Sequence, residues 1–150
     1  MLSLDGESFT SGSQPYSFRP ALASDSSKRI IIEVEIEGQR TQAMLDTGAP
    51  YLTVEPEIAA MLGLDPGAAL RNISLGVRGQ NIHGRLHRLN LKFRAEEGDE
   101  LTIDAVTFVP DATEKSWPGL PSMVGLEGCL EWVRFGFDTS SETFYFGAHP

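Results

Sequence analysis

The sequence contains the segment Met44-Leu45-Asp46-Thr47-Gly48-Ala49, which places a carboxylate in a tight turn directly after an apolar strand. Its apolar neighbours half-bury Asp46, and such a charge costs free energy unless it is paired or hydrogen-bonded. Thr47 can donate and accept hydrogen bonds within the turn, and Gly48 permits close approach of another backbone. Because Asp-Thr-Gly also occurs in ordinary turns, its meaning depends on the surrounding chain.

The residues before this turn have the pattern of a β-hairpin. Ile32, Val34 and Ile36 share one face of a predicted strand, and glutamates alternate with them on the other face. Gly38-Gln39 predicts a tight turn, after which residues 40–45 return as the second strand. The hairpin therefore delivers Asp46 at the end of a strand.

The remaining chain alternates short strand patterns with turn residues. Two short helices are predicted, over residues 55–63 and 126–133, the first with Pro56 at its start and Gly63 at its end. The other predicted strands are residues 51–54, 69–75, 81–93, 101–109, 135–138 and 143–147, with a proline-rich loop over 110–121. A mostly-β chain of many short strands favours a small barrel.

A second motif, near the C-terminus, accompanies the Asp-Thr-Gly segment. Met123-Val124-Gly125 is followed by a short predicted helix and a final hairpin. Together with the hairpin that precedes Asp46, this arrangement resembles the retropepsin-like aspartic peptidases over residues 29–147. The resemblance implies a closed β-barrel monomer with two short helices and a flap, a hairpin that covers the substrate, and it implies that the protein acts as a homodimer.

The resemblance also implies roles for individual residues. Asp46 would be the catalytic aspartate in a loop supported by Thr47, Gly48 and Ala49. Thr47 would bond to its mate across the dimer axis, and Gly48 would offer its carbonyl to the substrate. The flap tip would be formed by Leu75, Gly76, Val77, Arg78 and Gly79. Val124 and Gly125 would pack beneath the loop, and residues 143–146 with part of the N-terminal arm would interleave into an intersubunit sheet.

The expected function is an endopeptidase that uses an Asp46–Asp46 pair, with no cofactor. Hydrolysis by carboxylates needs a base and an acid, and only Asp46 lies in an Asp-Thr-Gly setting. A two-fold dimer supplies the second carboxylate. The alternative is a non-catalytic dimeric module on the same fold that binds peptides or serves in assembly.

Two positions depart from the family pattern. Pro50 stands where relatives commonly donate a backbone N–H to the substrate, and proline has none. Retroviral members often pair an acidic residue there with an arginine after the later glycine, where this chain has Leu126. Both members of that polar pair are absent together, so neither leaves an unpaired charge. For Arg78, contact with an acidic substrate group and a solvated turn arginine are both open.

Composition limits the other possibilities. The 150 residues suit a domain over residues 29–150 behind a flexible arm over 1–28, and the net charge of -9 disfavours nucleic acid. The single Cys129 excludes an internal disulfide and is predicted as a small core residue. No signal peptide or membrane span is visible, so a cytoplasmic protein is expected. His83 and His87 lie roughly 13 Å apart on a predicted strand, too far to share a metal.

Overall fold

The computed structural model describes residues 1–150 as fourteen strands, one α-helix and two short 3-10 helices, Pro66–Ala68 and Leu130–Trp132. The α-helix, α1, spans Pro56–Leu62. The strands are β1 (Ser3–Leu4), β2 (Glu7–Ser8), β3 (Gly12–Pro15), β4 (Ser17–Pro20), β5 (Lys28–Ile36), β6 (Gln39–Leu45), β7 (Leu52–Thr53), β8 (Arg71–Val77), β9 (Gln80–Phe93), β10 (Glu97–Gly98), β11 (Leu101–Pro110), β12 (Ser122–Val124), β13 (Val133–Asp138) and β14 (Thr143–Ala148).

The predicted hairpin is formed by β5 and β6, paired antiparallel with Ile31 opposite Met44 and Ile36 opposite Gln39. The alternation of the sequence becomes an alternation of burial, since Val34 and Ile36 are fully buried. The chain reverses at residues 37–38, and β6 ends immediately before Asp46.

The main sheet closes on itself, which confirms the predicted closed barrel. Its strands run in the order β4-β5-β6-β12-β7-β11-β9-β8, and β5 also pairs with β9. Strand β12 lies between β6 and β7, parallel to the first and antiparallel to the second. Residues distant in the chain therefore meet beside the end of β6.

The core divides into two clusters. The larger fills the barrel and its contact with a four-stranded sheet of order β10-β3-β14-β13, where Phe93, Phe144 and Phe146 are fully buried. The smaller lies under the β8–β9 hairpin and contains Met44, Ile82 and Leu120. Each fully buried aromatic or aliphatic side chain contributes about 1.5–3 kcal/mol through removal of apolar surface from water.

The first predicted helix is confirmed and the second is wrong. Helix α1 begins with Pro56 at its N-terminus, and Gly63 ends it in the left-handed conformation. Residues 126–133 form only the 3-10 helix Leu130–Trp132, because Gly128 has φ of 64° and Cys129 is also non-helical. No helix of the structure has the length and apolar character that crossing a bilayer demands.

The N-terminal segment contributes to both sheets. Strand β3 lies between β10 and β14, and β4 pairs with β5. The Gln14 amide donates to the carbonyls of Glu33 and Arg94 and accepts from the Glu33 N–H. Residues 12–20 are therefore built into the sheets, whereas the division of the chain into an arm over 1–28 and a domain over 29–150 stays a prediction.

The expected interleaving of residues 143–146 with a second chain does not fit the pairing of β14. Phe146 lies opposite Phe135 on one side and opposite Gly12 on the other, both from its own chain. Residues 143–146 pair on both edges, so this part of β14 has no free edge for a partner.

Candidate active site

Asp46 is held at the end of β6 by backbone hydrogen bonds on both sides. Its N–H donates to the Val124 carbonyl at 3.0 Å, which ties it to β12. Its carbonyl accepts the Ala49 N–H at 3.0 Å, and its Oδ1 accepts the Gly48 N–H at 3.0 Å. The half-buried carboxylate thus has one oxygen fixed by the turn, while Oδ2 has no partner within the chain.

Gly125 joins the loop after Asp46 to β12 at very short range. Its N–H donates to the Tyr51 carbonyl at 3.0 Å, and the Leu126 N–H donates to the Ala49 carbonyl at 2.9 Å. A Cβ at position 125 would lie 1.7 Å from the Pro50 carbonyl oxygen, inside a backbone atom. Only glycine fits there without moving the loop.

A cavity of about 430 Å³ brings the two predicted parts of the site together. Asp46, Gly48 and Ala49 lie on one wall, and the β8–β9 hairpin forms the opposite wall through Leu75, Gly76, Val77 and Arg78. The other lining residues are Arg29, Met44, Pro50, Thr53, Leu120 and Met123. The cavity therefore combines one carboxylate with a largely apolar surface.

The β8–β9 hairpin reverses at Arg78-Gly79, both with positive φ, and β8 extends to Val77, two residues beyond the predicted end of the strand. Arg78 donates to both carboxylate oxygens of Asp25, from Nη2 to Oδ2 at 2.9 Å and from Nη1 to Oδ1. Its side chain is therefore neither free for a substrate nor fully solvated. This hydrogen bonding lowers the pKa of Asp25.

Comparison with known families decides the identity of the fold. A family model described as aspartyl protease matches residues 32–110. The chain belongs to the aspartyl protease family. The matched segment contains the second half of β5, all of β6, the Asp-Thr-Gly turn and the whole β8–β9 hairpin, so the resemblance read from the sequence is confirmed.

A solved structure shows that the fold of this aspartyl protease is retropepsin-like. A retropepsin-like aspartic protease from Rickettsia conorii is similar over 91% of this chain and 92% of that chain, with 20% identity and a TM-score of 0.55. The protease of EIAV in complex with the inhibitor HBY-793 is similar over 69% of this chain and 88% of that chain, with 18% identity and a TM-score of 0.43. No curated protein matches the sequence.

Four of the predicted site residues of this family member lie outside the cavity lining. Thr47 is exposed beside it, and its hydroxyl has no hydrogen-bond partner within the chain. Gly79 lies at the hairpin turn, while Val124 and Gly125 lie behind the Asp46 loop, which they contact through the backbone.

Several lining residues were missed although the sequence held a signal for two of them. Met44 is two residues before Asp46, which directly follows β6, so the alternation of the strand directs both side chains to the same face. Arg29 is two residues before Ile31, the partner of Met44 across the hairpin. Leu120 and Met123 reach the cavity through the proline-rich loop and β12, where no periodicity could predict their direction.

Two histidines, a cysteine and a tryptophan outside the cavity wall near Asp46 make structural contacts. His83 is exposed and its Nδ1 lies 2.6 Å from Ser74 Oγ, whereas burial lowers the pKa of His87. Cys129 is fully buried, as predicted, and burial raises the pKa of its thiol to about 12. Trp117, in the proline-rich loop, packs near Leu120 and donates from Nε1 to its carbonyl.

Proposed function

We propose that this member of the aspartyl protease family is an endopeptidase whose active site is completed by a second copy of the chain. The observation that carries the proposal is the position of Asp46. Its carboxylate stands at a strand end, with one oxygen held by the turn and the other unpartnered, and it lines a partly apolar cavity under a hairpin.

Two copies of Asp46 would supply the base and the acid that peptide hydrolysis requires. Like charges held close together do not both ionise, so the pair shares one proton. The ionised carboxylate takes a proton from water, whose oxygen attacks the scissile carbonyl carbon. The protonated carboxyl gives its proton to the carbonyl oxygen, and the intermediate then collapses with proton transfer to the leaving amine.

The surroundings of Asp46 fit a site shared across a two-fold axis. Only one Asp-Thr-Gly occurs in the chain, so a single copy offers one carboxylate of this kind. The exposed Thr47 hydroxyl is unused within its own chain and would bond to its symmetry mate. Its neighbour Gly48 lines the cavity and would present its carbonyl to the substrate backbone.

The substrate class follows from the cavity. An extended peptide would lie between the Asp46 loop and the β8–β9 hairpin, with apolar side chains against Leu75, Val77, Leu120 and Met123. Pro50 has no N–H, so the hydrogen bond that relatives donate from this position is lost. Apolar contacts would therefore carry a larger share of substrate binding.

The test is Asp46→Asn, assayed by digestion of a peptide library between pH 3 and 8 and by sedimentation. Asparagine is nearly isosteric, and its side-chain oxygen can still accept the Gly48 N–H. We expect loss of cleavage with an unchanged assembly. The matched control is Asp65→Asn, because Asp65 accepts the Gly67 N–H at 2.9 Å in the same kind of turn but lies outside the cavity.

Three results would contradict the proposal. Cleavage that survives Asp46→Asn would remove the role of this residue, and cleavage by a strictly monomeric protein would remove the shared site. A dimeric wild type that binds peptides throughout the pH range without cutting any of them would favour the non-catalytic module instead.

A further inference from the structure

Three charged side chains line the cavity, and they differ in whether they already have a partner. Asp46 is the only carboxylate of the lining, and Arg29 and Arg78 are its only cations. Arg78 is neutralised by its two hydrogen bonds to Asp25. Arg29 is therefore the cation that remains available to a molecule bound in the cavity.

Within one copy of the chain, Arg29 is also the one arginine whose guanidinium makes no hydrogen bond, ion pair or cation–π contact. Every other arginine donates to a carboxylate, an amide or a hydroxyl, or lies over an aromatic ring: Arg19, Arg40, Arg71, Arg78, Arg85, Arg88, Arg94 and Arg134. The chain has 21 acidic residues against 12 basic ones, so carboxylates are plentiful. An unpaired arginine at the cavity stands out against this background.

The residues near Arg29 do not neutralise it. The hydrogen bond from Arg78 and, to a smaller extent, the charge of Arg29 lower the pKa of Asp25, but no ion pair joins Arg29 to Asp25. Both Asp25 oxygens are already used, by Arg78 and by the Leu22 N–H. Directly across the β4–β5 ladder lies another cation, Arg19, whose guanidinium donates to Gln42 instead.

Arg29 lies on the same side of the hairpin as the reacting centre. The β5–β6 ladder ends with Ile31 opposite Met44, and the alternation of side chains continues that face to Arg29 on one strand and towards Asp46 just beyond the end of the other. Both side chains line the cavity. A peptide whose scissile bond lies at Asp46 would have a neighbouring side chain within reach of the guanidinium.

We propose that Arg29 is a specificity-determining residue that binds a glutamate or aspartate side chain of the substrate, close to the apolar residues at the scissile bond. This inference rests on the proposed endopeptidase function. The planar guanidinium presents a fork of N–H donors that matches a carboxylate, and such charge-assisted pairs are stronger than neutral ones. The substrate class becomes apolar peptides with an acidic residue at one defined position.

The experiment uses peptides with an apolar pair at the scissile bond and a glutamate moved through three positions on either side. Each peptide has a twin with glutamine in its place. We expect the wild type to favour glutamate over glutamine at one position by roughly tenfold or more in kcat/KM. Arg29→Gln reduces this ratio to about one. Arg29→Glu reverses the charge preference, so that this variant favours the same peptide with lysine at that position.

Lys28→Gln is the matched control. It removes the same charge from the adjacent residue, whose side chain lies over the Phe18 ring and outside the cavity. The glutamate preference should survive this change. If Lys28→Gln abolishes the preference as fully as Arg29→Gln does, the total positive charge at the start of β5 selects the substrate, and the proposal is wrong.

Other outcomes overturn the inference in distinguishable ways. Equal cleavage of both twins by the wild type removes the selectivity. If Arg29→Gln shifts the pH profile of cleavage equally for the glutamate and glutamine peptides, Arg29 acts on Asp46. If Arg29→Gln weakens the dimer instead, Arg29 is an intersubunit contact.

If no peptide is cleaved, the endopeptidase function fails, and peptide binding is then measured by fluorescence anisotropy. Binding of the glutamate peptide that Arg29→Gln leaves unchanged contradicts the proposal.

Discussion

Arg78, at the turn of the β8–β9 hairpin, is bound through both of its terminal nitrogens by Asp25, in the connection between β4 and β5. The Asp25 side chain is only 9% exposed and that of Arg78 35%, so the pair is shielded from water more than a surface ion pair. Leu22, three residues before Asp25, packs into the cluster under the hairpin. The chain therefore holds its own hairpin over the cavity that contains Asp46.

Asp25→Asn should loosen the hairpin without unfolding the protein. Asparagine keeps an acceptor but loses the charge that strengthens the hydrogen bonds from Arg78. We expect amide exchange at residues 77–80 to accelerate roughly tenfold while exchange in the barrel strands is unchanged. Hydrogen exchange followed by mass spectrometry measures both regions at once.

Glu33→Gln is the control for this change. It removes one carboxylate from the Arg40–Glu33 pair, in which both side chains are more than half exposed. Hairpin exchange should stay at the wild-type rate in this variant. Faster exchange in both variants would indicate a general effect of charge, and no acceleration in Asp25→Asn would show that the pair does not hold the hairpin.

The same pair predicts an acid transition confined to the hairpin. The hydrogen bond from Arg78 lowers the pKa of Asp25, so the ionised form is favoured in the folded protein. This stabilisation is complete above the ordinary aspartate pKa of about 4 and is lost as pH falls through the lower folded value. Protection of residues 77–80, corrected for intrinsic exchange, should be constant from pH 8 to 5 and fall below about pH 4. Asp25→Asn should lack this step; an identical step in the variant would assign it to another group.

The sequence predicted the parts of this molecule that depend on neighbouring residues. The alternation of Ile32, Val34 and Ile36 fixes which face of β5 enters the larger core cluster. Asp46 directly follows β6 and continues the opposite face, which lines the cavity. Pro56 and Gly63 mark the ends of α1 for equally local reasons. These elements were predictable because backbone preference and burial agree.

The parts that failed depend on contacts between distant segments. Gly128 breaks the second predicted helix where its backbone packs against Val106, a residue of another strand. Asp25 and Arg78 both lie in connections without periodicity, far apart in the chain. Nothing in the local pattern shows that the β4–β5 connection contacts the turn of the β8–β9 hairpin, so the partner of Arg78 could not be predicted from the sequence.

Cys129 should be chemically inert in the folded protein. Burial raises the pKa of its thiol to about 12, so the reactive thiolate is scarce at pH 8. A thiol reagent such as DTNB should react only after unfolding in urea, when the pKa returns to about 8.5. Ser24→Cys, at an exposed loop position, provides a thiol that reacts at once. Rapid labelling of the wild type without denaturant would show that the buried core opens readily.

Gly125→Ala tests the close approach that positions the Asp46 loop. The added methyl group would lie 1.7 Å from the Pro50 carbonyl oxygen and 2.3 Å from that of Tyr51, and both are backbone atoms that cannot rotate away. We expect the free energy of unfolding to fall by about 3 kcal/mol or more, as for other overpacked core positions, with loss of the Leu126–Ala49 hydrogen bond. Gly76→Ala is the control, since nothing lies within 4 Å of its added methyl and its φ is not positive. Urea unfolding of both variants gives the comparison, and equal stability of the two would contradict the close packing of β12 against the loop.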